Sequence, residues 1–475
     1  MQKKDENTTL EIKKTEDNAI PPADNVNAGD TERKRVNRNA LISIVICAII
    51  TATFFLGFFV RGCTFGEKEF KASEIIGIIN DTSIYYDGLS ADDVGRLLGD
   101  ALKGNDRYAR YYSPAEYGKM LSESAGNYSG VGVGLTADGG IGKVYNNSPA
   151  YRAGVKEGDF LAEGVFKGET EFTSFDVKTE ELCAEDPTVT RLKVISAFFG
   201  AFSVGDAIRI KVVRGEDELE FTLNIEDYIV SYVEYYDNGG ALLFSTENGE
   251  FKGRATAETN MAELPDDTAY IKLYEFEGGA AEQFGAAMDY LESRGKSKLI
   301  LDLRDNGGGS VKILLEIASH LINDNAKTSV KVIDVQEKTV KTHFSTSKNN
   351  FHACLKEISV IADSNTASAS ECLIGALMDY GGANFGGALF SSNMLVLTDF
   401  IESRGYYSTY GKGIMQTTYQ LASGGAFTLT TAEIFWPRTR VCVQDVGIKT
   451  NNPKNQVDDE FAIARAVEIL HPATN

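Results

Sequence analysis

The sequence predicts a multi-domain α/β protein, and three observations carry that expectation. From about residue 269 onward, short apolar runs alternate with stretches of helical period, the pattern of a layered fold with a largely parallel sheet. Before them, residues 125–228 break into Gly-rich turns and short extended segments, as a separate β-rich domain would. At 475 residues the chain is also too long for one small core.

The elements follow in chain order. Residues 1–38 are polar, charged and aperiodic, and read as a disordered tail. Residues 40–60, "ALISIVICAIITATFFLGFFV", carry no charge and are long enough to span the hydrocarbon core as a helix. Arg33, Lys34, Arg35 and Arg38 precede this run and Arg61 follows it. The expectation is a single-pass anchor over 39–61, with a cytoplasmic N-terminus and an extracytoplasmic remainder at the cell membrane. A cleaved signal peptide is the rival, though its apolar region would be shorter. Residues 70–124 predict a helical arm, in which "SADDVGRLLGDAL" and "SPAEYGKMLSES" each open on a capping serine.

Within 125–228, "GVGVGL" spans Gly130, Val131, Gly132, Val133, Gly134 and Leu135. The continuation, "TADGGIGKVYNNSPAYRAGVKEGDFL", reads strand, turn, strand, short helix, strand. That order excludes a dinucleotide loop, which runs from strand into helix. The stretch from about 166 to 200 is longer than such a domain needs, and a hairpin around Gly215 closes it. In the third region, 229–475, "LILDLRDNGGG" and "ISVIADSNTASASE" each pair a buried strand with a turn that opens a helix. Ligands in such folds gather at the carboxyl ends of the strands.

Composition narrows the chemistry. A formal charge of -21 argues against a nucleic-acid partner, which needs clustered Lys and Arg. The four histidines stand in no metal-ligand or Ser-His pattern, so neither a metal nor a cofactor is expected. The six cysteines fall at wide, irregular spacing, without a disulfide or zinc framework, and read as small buried hydrophobes. No GK[ST] follows the glycine turn, which leaves a nucleotide-binding reading without support.

Ser368 has a plain structural reading: Ser368-Ala369-Ser370-Glu371 is a capping box ahead of an apolar run. A nucleophile there needs a base and an oxyanion hole. Lys412, between Gly411 and Gly413, could serve as the base if burial lowered its pKa. The plain alternative for it is a solvated loop lysine. Gln416 would hold the amine if strand alternation placed both side chains on one face. Backbone N–H groups of Ala369 and of the 307–309 turn, Gly308 in particular, are the candidate oxyanion donors.

These segments resemble a known family. "YIKLYEF", "LILDLRDNGGG", "TASASECLIGALMDYG", "TYGKGIMQ" and "LTTAEIFWP" are similar, in order, to segments of the C-terminal processing peptidases, or tail-specific proteases, of family S41. "SPAYRAGVKEGDFL" resembles the signature of PDZ domains, with "GVGVGL" as the carboxylate-binding loop. The resemblance covers most of the chain after residue 70. It implies an S41 core over 229–475, a PDZ domain over 125–228, and a serine endopeptidase with a Ser368–Lys412 dyad oriented by Gln416. Implied partners are polypeptides with free C-termini, captured by residues 130–135, and a second copy through the helical arm. A catalytically inactive PDZ scaffold is the competing reading. Thr366 stands where the family has a serine. The interval from Ser368 to Lys412 exceeds the family's usual one, and the extra residues, roughly 387–407, are expected either as a surface lid or as the mark of an impaired site.

Overall fold

The computed structural model describes residues 88–473, apart from 239, 248–249, 256–263, 326 and 383–384, together with helical residues at 76 and 79–81. The expected tail and membrane anchor lie outside the described residues. Among the described residues no helix is long and apolar enough to cross a membrane. Of two compact units, Met1–Leu89 and Ser90–Asn475, the second carries every element below.

The arm comprises α1 (Ala91–Leu102), β1 (Arg110–Tyr112) and α2 (Pro114–Ser124). Ser90 and Ser113 cap the two helices and close reciprocal capping boxes with Asp93 and Glu116. The predicted helical period is thus interrupted by a strand. Gly95 and Gly99 are the buried positions of α1, and a side chain at Gly95 would run into the Tyr111 ring. Small residues on that face let the helix lie directly on β1.

The β-rich unit follows: β2 (Asn127–Gly130), β3 (Val133–Leu135), β4 (Ile141–Val144), α3 (Pro149–Ala153), β5 (Phe160–Gly164), β6 (Thr173–Ser174), α4 (Phe175–Cys183), α5 (Arg191–Gly200), β7 (Ala207–Arg214), β8 (Asp217–Asn224) and β9 (Glu226–Ile229). It has its own hydrophobic core, which includes Val131, Ile141, Leu161, Phe175, Ile195, Phe198 and Ile210. The long stretch the sequence left unexplained is α4 and α5. Phe175 and Phe198 meet edge to face at 5.2 Å and are fully buried, so both helices belong to this core. The expected hairpin is β7–β8, turning between Arg214 and Asp217.

The main unit contains β10 (Val233–Asp237), β11 (Gly240–Glu247), β12 (Glu250–Ala255), β13 (Thr268–Leu273), α6 (Ala280–Ser293), β14 (Lys298–Asp302), α7 (Val311–Leu321), β15 (Lys331–Gln336), β16 (Lys341–Ser345), β17 (Glu357–Ala362), α8 (Ala369–Tyr380), β18 (Leu395–Leu397), β19 (Phe400–Ile401), β20 (Tyr406–Tyr407), β21 (Ile414–Gln420), β22 (Ala426–Phe435) and α9 (Ala462–Leu470). Its main sheet runs β12-β11-β10-β13-β14-β17-β18, with the four strands from β13 to β18 parallel. β14 and β17 are neighbours, so the turns after them lie side by side at one end of the sheet. A second sheet, β1-β22-β15-β16 with β21 on β22, takes its first strand from the arm.

The expected lid over 387–407 needs correction. Leu395–Leu397 is a fully buried strand paired with β17, so that part of the insert belongs to the sheet. The β19–β20 hairpin forms a separate two-stranded sheet, with Phe400 exposed on it. The "MLVL" run is apolar because it is a sheet edge covered on both faces.

Candidate active site

Two turns at the carboxyl ends of β14 and β17 form one half of the site. Asn306 is fully buried, and its side chain and backbone bridge both turns. Its amide donates to the Leu273 carbonyl, and its Oδ1 accepts the Gly308 N–H at 3.0 Å. Its carbonyl accepts from Ala367 N and Ser370 Oγ. Thr366, also fully buried, bonds Asp363 and the Leu303 carbonyl through its hydroxyl. A threonine fits there because its hydroxyl makes the bonds a serine would make.

This network holds Ser368 at φ 57°, ψ −114°. The capping serines Ser90, Ser113 and Ser148 sit instead at φ between −73° and −61° with ψ near 163°. A non-glycine residue forced to positive φ at a strand-to-helix turn is strained, and strain of this kind is retained where a side chain must be presented. Ser368 thus differs in backbone conformation from the plain helix caps. Gly308 packs directly against it: a Cβ there would come within 2.8 Å of Ser368 Cβ and Ala369 N.

The predicted oxyanion donors fare unequally. Ala369 N–H starts the helix, and no protein acceptor engages it among the described residues. Gly308 N–H is already given to Asn306 Oδ1.

The other half is the loop before β21. Gly411 has φ +87°, and a Cβ on it would press against the backbone of Gly447 and Val443. Gly413 is packed equally closely on Gln444. The glycines therefore let residues 443–447 close onto the loop, with Lys412 held between them.

Glu371 joins the halves. Its carboxylate is fully buried and accepts from Ser368 N (3.0 Å), Thr409 Oγ1 (2.5 Å), Gly411 N (2.8 Å) and Lys412 N (2.7 Å). Burial pushes its pKa up, against the pull of those four donors. Sequence reasoning saw only the helix cap in Glu371. Its S-x-x-E spacing signals the Ser368 contact but not the three others, which come from residues 38 to 41 positions away.

The predicted side-chain constellation is only partly assembled. Burial lowers the Lys412 pKa, the Arg107 charge adds to this, and Glu371 opposes it. Yet Lys412 Nζ lies 4.5 Å from the centre of the Tyr108 ring, and no hydrogen bond joins it to Ser368 Oγ or to Gln416. Gln416 donates instead to Thr430 Oγ1 at 3.2 Å. The alternation expected to align Lys412 with Gln416 fails for two reasons. The strand begins at Ile414, and its register shifts between Met415 and Gln416. Tyr108 and Arg107 come from the arm, and nothing in their sequence context pointed to this site.

Residues 130–135 lie apart, in the β-rich unit. Val131 is buried in its core, whereas Val133 and Leu135 are half-buried. Gly132 must be glycine, since a Cβ would collide with Ser148. Among the described residues β3 pairs only with β4, which leaves its other edge unpaired. No group of acidic, His or Cys residues among the described ones could hold a metal ion.

The chain is similar to several known proteins. Residues 267–397 match the model of peptidase family S41. The chain is 24% identical over 364 residues to the chloroplastic carboxyl-terminal-processing peptidase 2 of Arabidopsis thaliana, covering 74% of this chain and 58% of that protein. It is 25% identical over 376 residues to the carboxyl-terminal-processing protease of Synechocystis sp., covering 78% and 71%. Among solved structures, the photosystem II D1 C-terminal processing protease aligns with a TM-score of 0.43 at 19% identity, covering 77% of this chain and 81% of that one. The stretch that carries Asn306, Gly308, β17 and Ser368 is thus similar in sequence to peptidase family S41.

Proposed function

We propose that this chain is a serine endopeptidase in which Ser368 is the nucleophile, Lys412 the general base and Gln416 the group that orients the lysine. The observation that carries the proposal is the positive φ of Ser368 on a turn tied by Glu371 to the backbone of Lys412. In the reaction, neutral Lys412 takes the hydroxyl proton as Ser368 Oγ attacks the peptide carbonyl, and then passes it to the leaving amine. The Ala369 N–H, and a second N–H from the 307–309 turn, receive the oxyanion. Reaching Ser368 requires Lys412 to leave the Tyr108 ring.

The 125–228 unit is read as a PDZ domain that captures a substrate's C-terminus. The unpaired edge of β3 and the glycine backbone at 130–132 support that reading. An anchor over 39–61 and an extracytoplasmic site complete it, with the arm as the surface for any self-association. The second reading, an inactive peptide-binding scaffold, takes its support from the missing Ser368–Lys412 hydrogen bond. One experiment separates the two: incubation of the full chain with unfolded casein, wild type beside Ser368→Ala. Cleavage that disappears in Ser368→Ala supports the peptidase. No cleavage by either, with the peptide still bound, supports the scaffold.

A further inference from the structure

Strand β22 is flanked on one edge by β21 and on the other by two shorter strands that leave a gap between them. β1 begins at Arg110, opposite Thr428, and β15 ends at Gln336, opposite Glu433. Thr430 faces this gap, and Asp106, in the arm just before β1, fills it. Asp106 Oδ2 accepts the Thr430 N–H at 2.7 Å, and Oδ1 accepts the Thr430 hydroxyl at 2.9 Å. The same Oδ1 accepts the Tyr108 N–H at 3.0 Å, which fixes the turn that carries the Tyr108 ring under Lys412.

These bonds have a direction. An ionised carboxylate only accepts, so Thr430 must spend its single hydroxyl proton on Asp106. The Thr430 oxygen can then only accept from its cross-strand partner Gln416. The Gln416 NH2 is thereby turned toward Thr430, and its Oε1, which no protein donor engages among the described residues, is left as the open acceptor. Burial alone would raise the Asp106 pKa, but the bonds from Thr430, Tyr108 and Ala109 outweigh it and keep the carboxyl below its ordinary range.

We propose that Asp106 is a positioning residue of the active site: through Thr430 it sets which end of the Gln416 amide faces the Lys412 amine, and through Tyr108 it sets where that lysine rests. An amine or ammonium needs the carbonyl end as its acceptor. A reversed amide would present two donors to it instead. The arm thus acts on the chemistry without touching substrate, and a chain whose arm is undocked has an unoriented base. The inference rests on the peptidase reading above.

The test inverts the polarity of the relay in the full-length protein, with fluorescein-labelled casein as the probe. Asp106→Asn can keep the Thr430 N–H bond only by turning its own NH2 toward the Thr430 hydroxyl. Thr430 must then donate to Gln416, which flips the amide. Thr430→Val cuts the relay while keeping the backbone bond to Asp106. Both should fold with KM unchanged and kcat lowered about tenfold, the scale of a lost orienting contact. Asp106→Asn combined with Thr430→Val tests whether the two act through one relay: with the hydroxyl gone there is no proton to redirect, so Asp106→Asn should lower kcat by no more than about twofold further. A purely structural Asp106 would cost as much in either background. Wild-type kcat in folded Thr430→Val, or losses that multiply in the double variant, overturns the inference. Should Asp106→Asn fail to fold, kcat and KM of Thr430→Val decide the matter. Ser368→Ala run alongside separates the failures: cleavage that persists in it sinks the peptidase reading itself, while an inert Ser368→Ala beside wild-type-like relay variants sinks only the role of Asp106.

Discussion

The half of this site proposed to supply the nucleophile and the half proposed to supply the base are built in opposite ways. Ser368 sits on a turn between a fully buried parallel strand and helix α8, pinned by Asn306 and Thr366. Lys412 sits in a loop before β21, and its side chain rests on an aromatic ring from the arm. One half is preorganised by the core sheet together with helix α8. The other depends on Glu371 for its backbone and on a distant segment for its side chain. On the proposed mechanism the nucleophile is ready at rest, whereas the base is the part open to control. A network of buried, fully satisfied hydrogen bonds has one arrangement, but a long alkylamine over a ring has several rotamers of similar energy.

The sharpest way to break this comparison is at its two ends. Ser368→Ala should lower casein cleavage by at least about 10³-fold while the thermal midpoint stays within a few degrees, the expected pattern for a residue that does chemistry rather than capping. A variant that stays active but melts early would return Ser368 to the role of cap. Lys412→Arg should be nearly as inert, because arginine remains protonated at working pH. For the wild type the sign is set by the lowered lysine pKa. Activity needs the neutral amine, so kcat should fall as pH drops through that pKa and level off above it, with the transition lying below the ordinary lysine range. A profile that keeps rising to the ordinary lysine pKa would mean that the amine is not held in a dry site.

Glu371→Gln probes the tie between the halves. All four partners of this carboxylate are donors, so a glutamine NH2 must face one of them. Removing a buried charge-assisted acceptor should cost roughly 2–4 kcal/mol and lower kcat even in the folded fraction. Unchanged kcat per folded molecule would show that the Lys412 loop holds itself in place. The smallest expected effect is at Glu277, whose carboxyl is raised to about 7, by burial first and then by Glu275, with Lys143 opposing. Its folded pKa lies above the unfolded one, so the protein loses stability as pH climbs from about 4.5 to 7 and carries the full cost above that. Glu277→Gln should therefore stabilise by about 1 kcal/mol at pH 8, allowing for solvent screening, and change nothing at pH 4. Urea unfolding at the two pH values checks this.

Much of the fold could be read from the chain because its signals are local. The runs "LILDL" and "ISVIA" are buried parallel strands, and the capping serines start α1 and α2 where their pattern places them. The insert shows where locality ends. "MLVL" is apolar whether it forms a lid or a sheet edge, and only its pairing with β17 decides between them. Lys412 and Gln416 show it again, since a strand start at Ile414 and one register shift undo an inference from even spacing.

Residue type and short spacing are enough to mark which residues could do chemistry: a serine at a helix start after a buried strand, a lysine between glycines, and a glycine turn after the neighbouring strand. Where those groups rest is decided by the tertiary fold. It turned Glu371 from a helix cap into a link between the halves, committed the Gly308 N–H to Asn306, and brought Asp106 and Tyr108 to a site some three hundred residues further along the chain. The physical reason is that hydrogen-bond direction and side-chain seating are set by whichever groups the fold brings within about 3 Å, and those partners carry no trace of one another in the sequence.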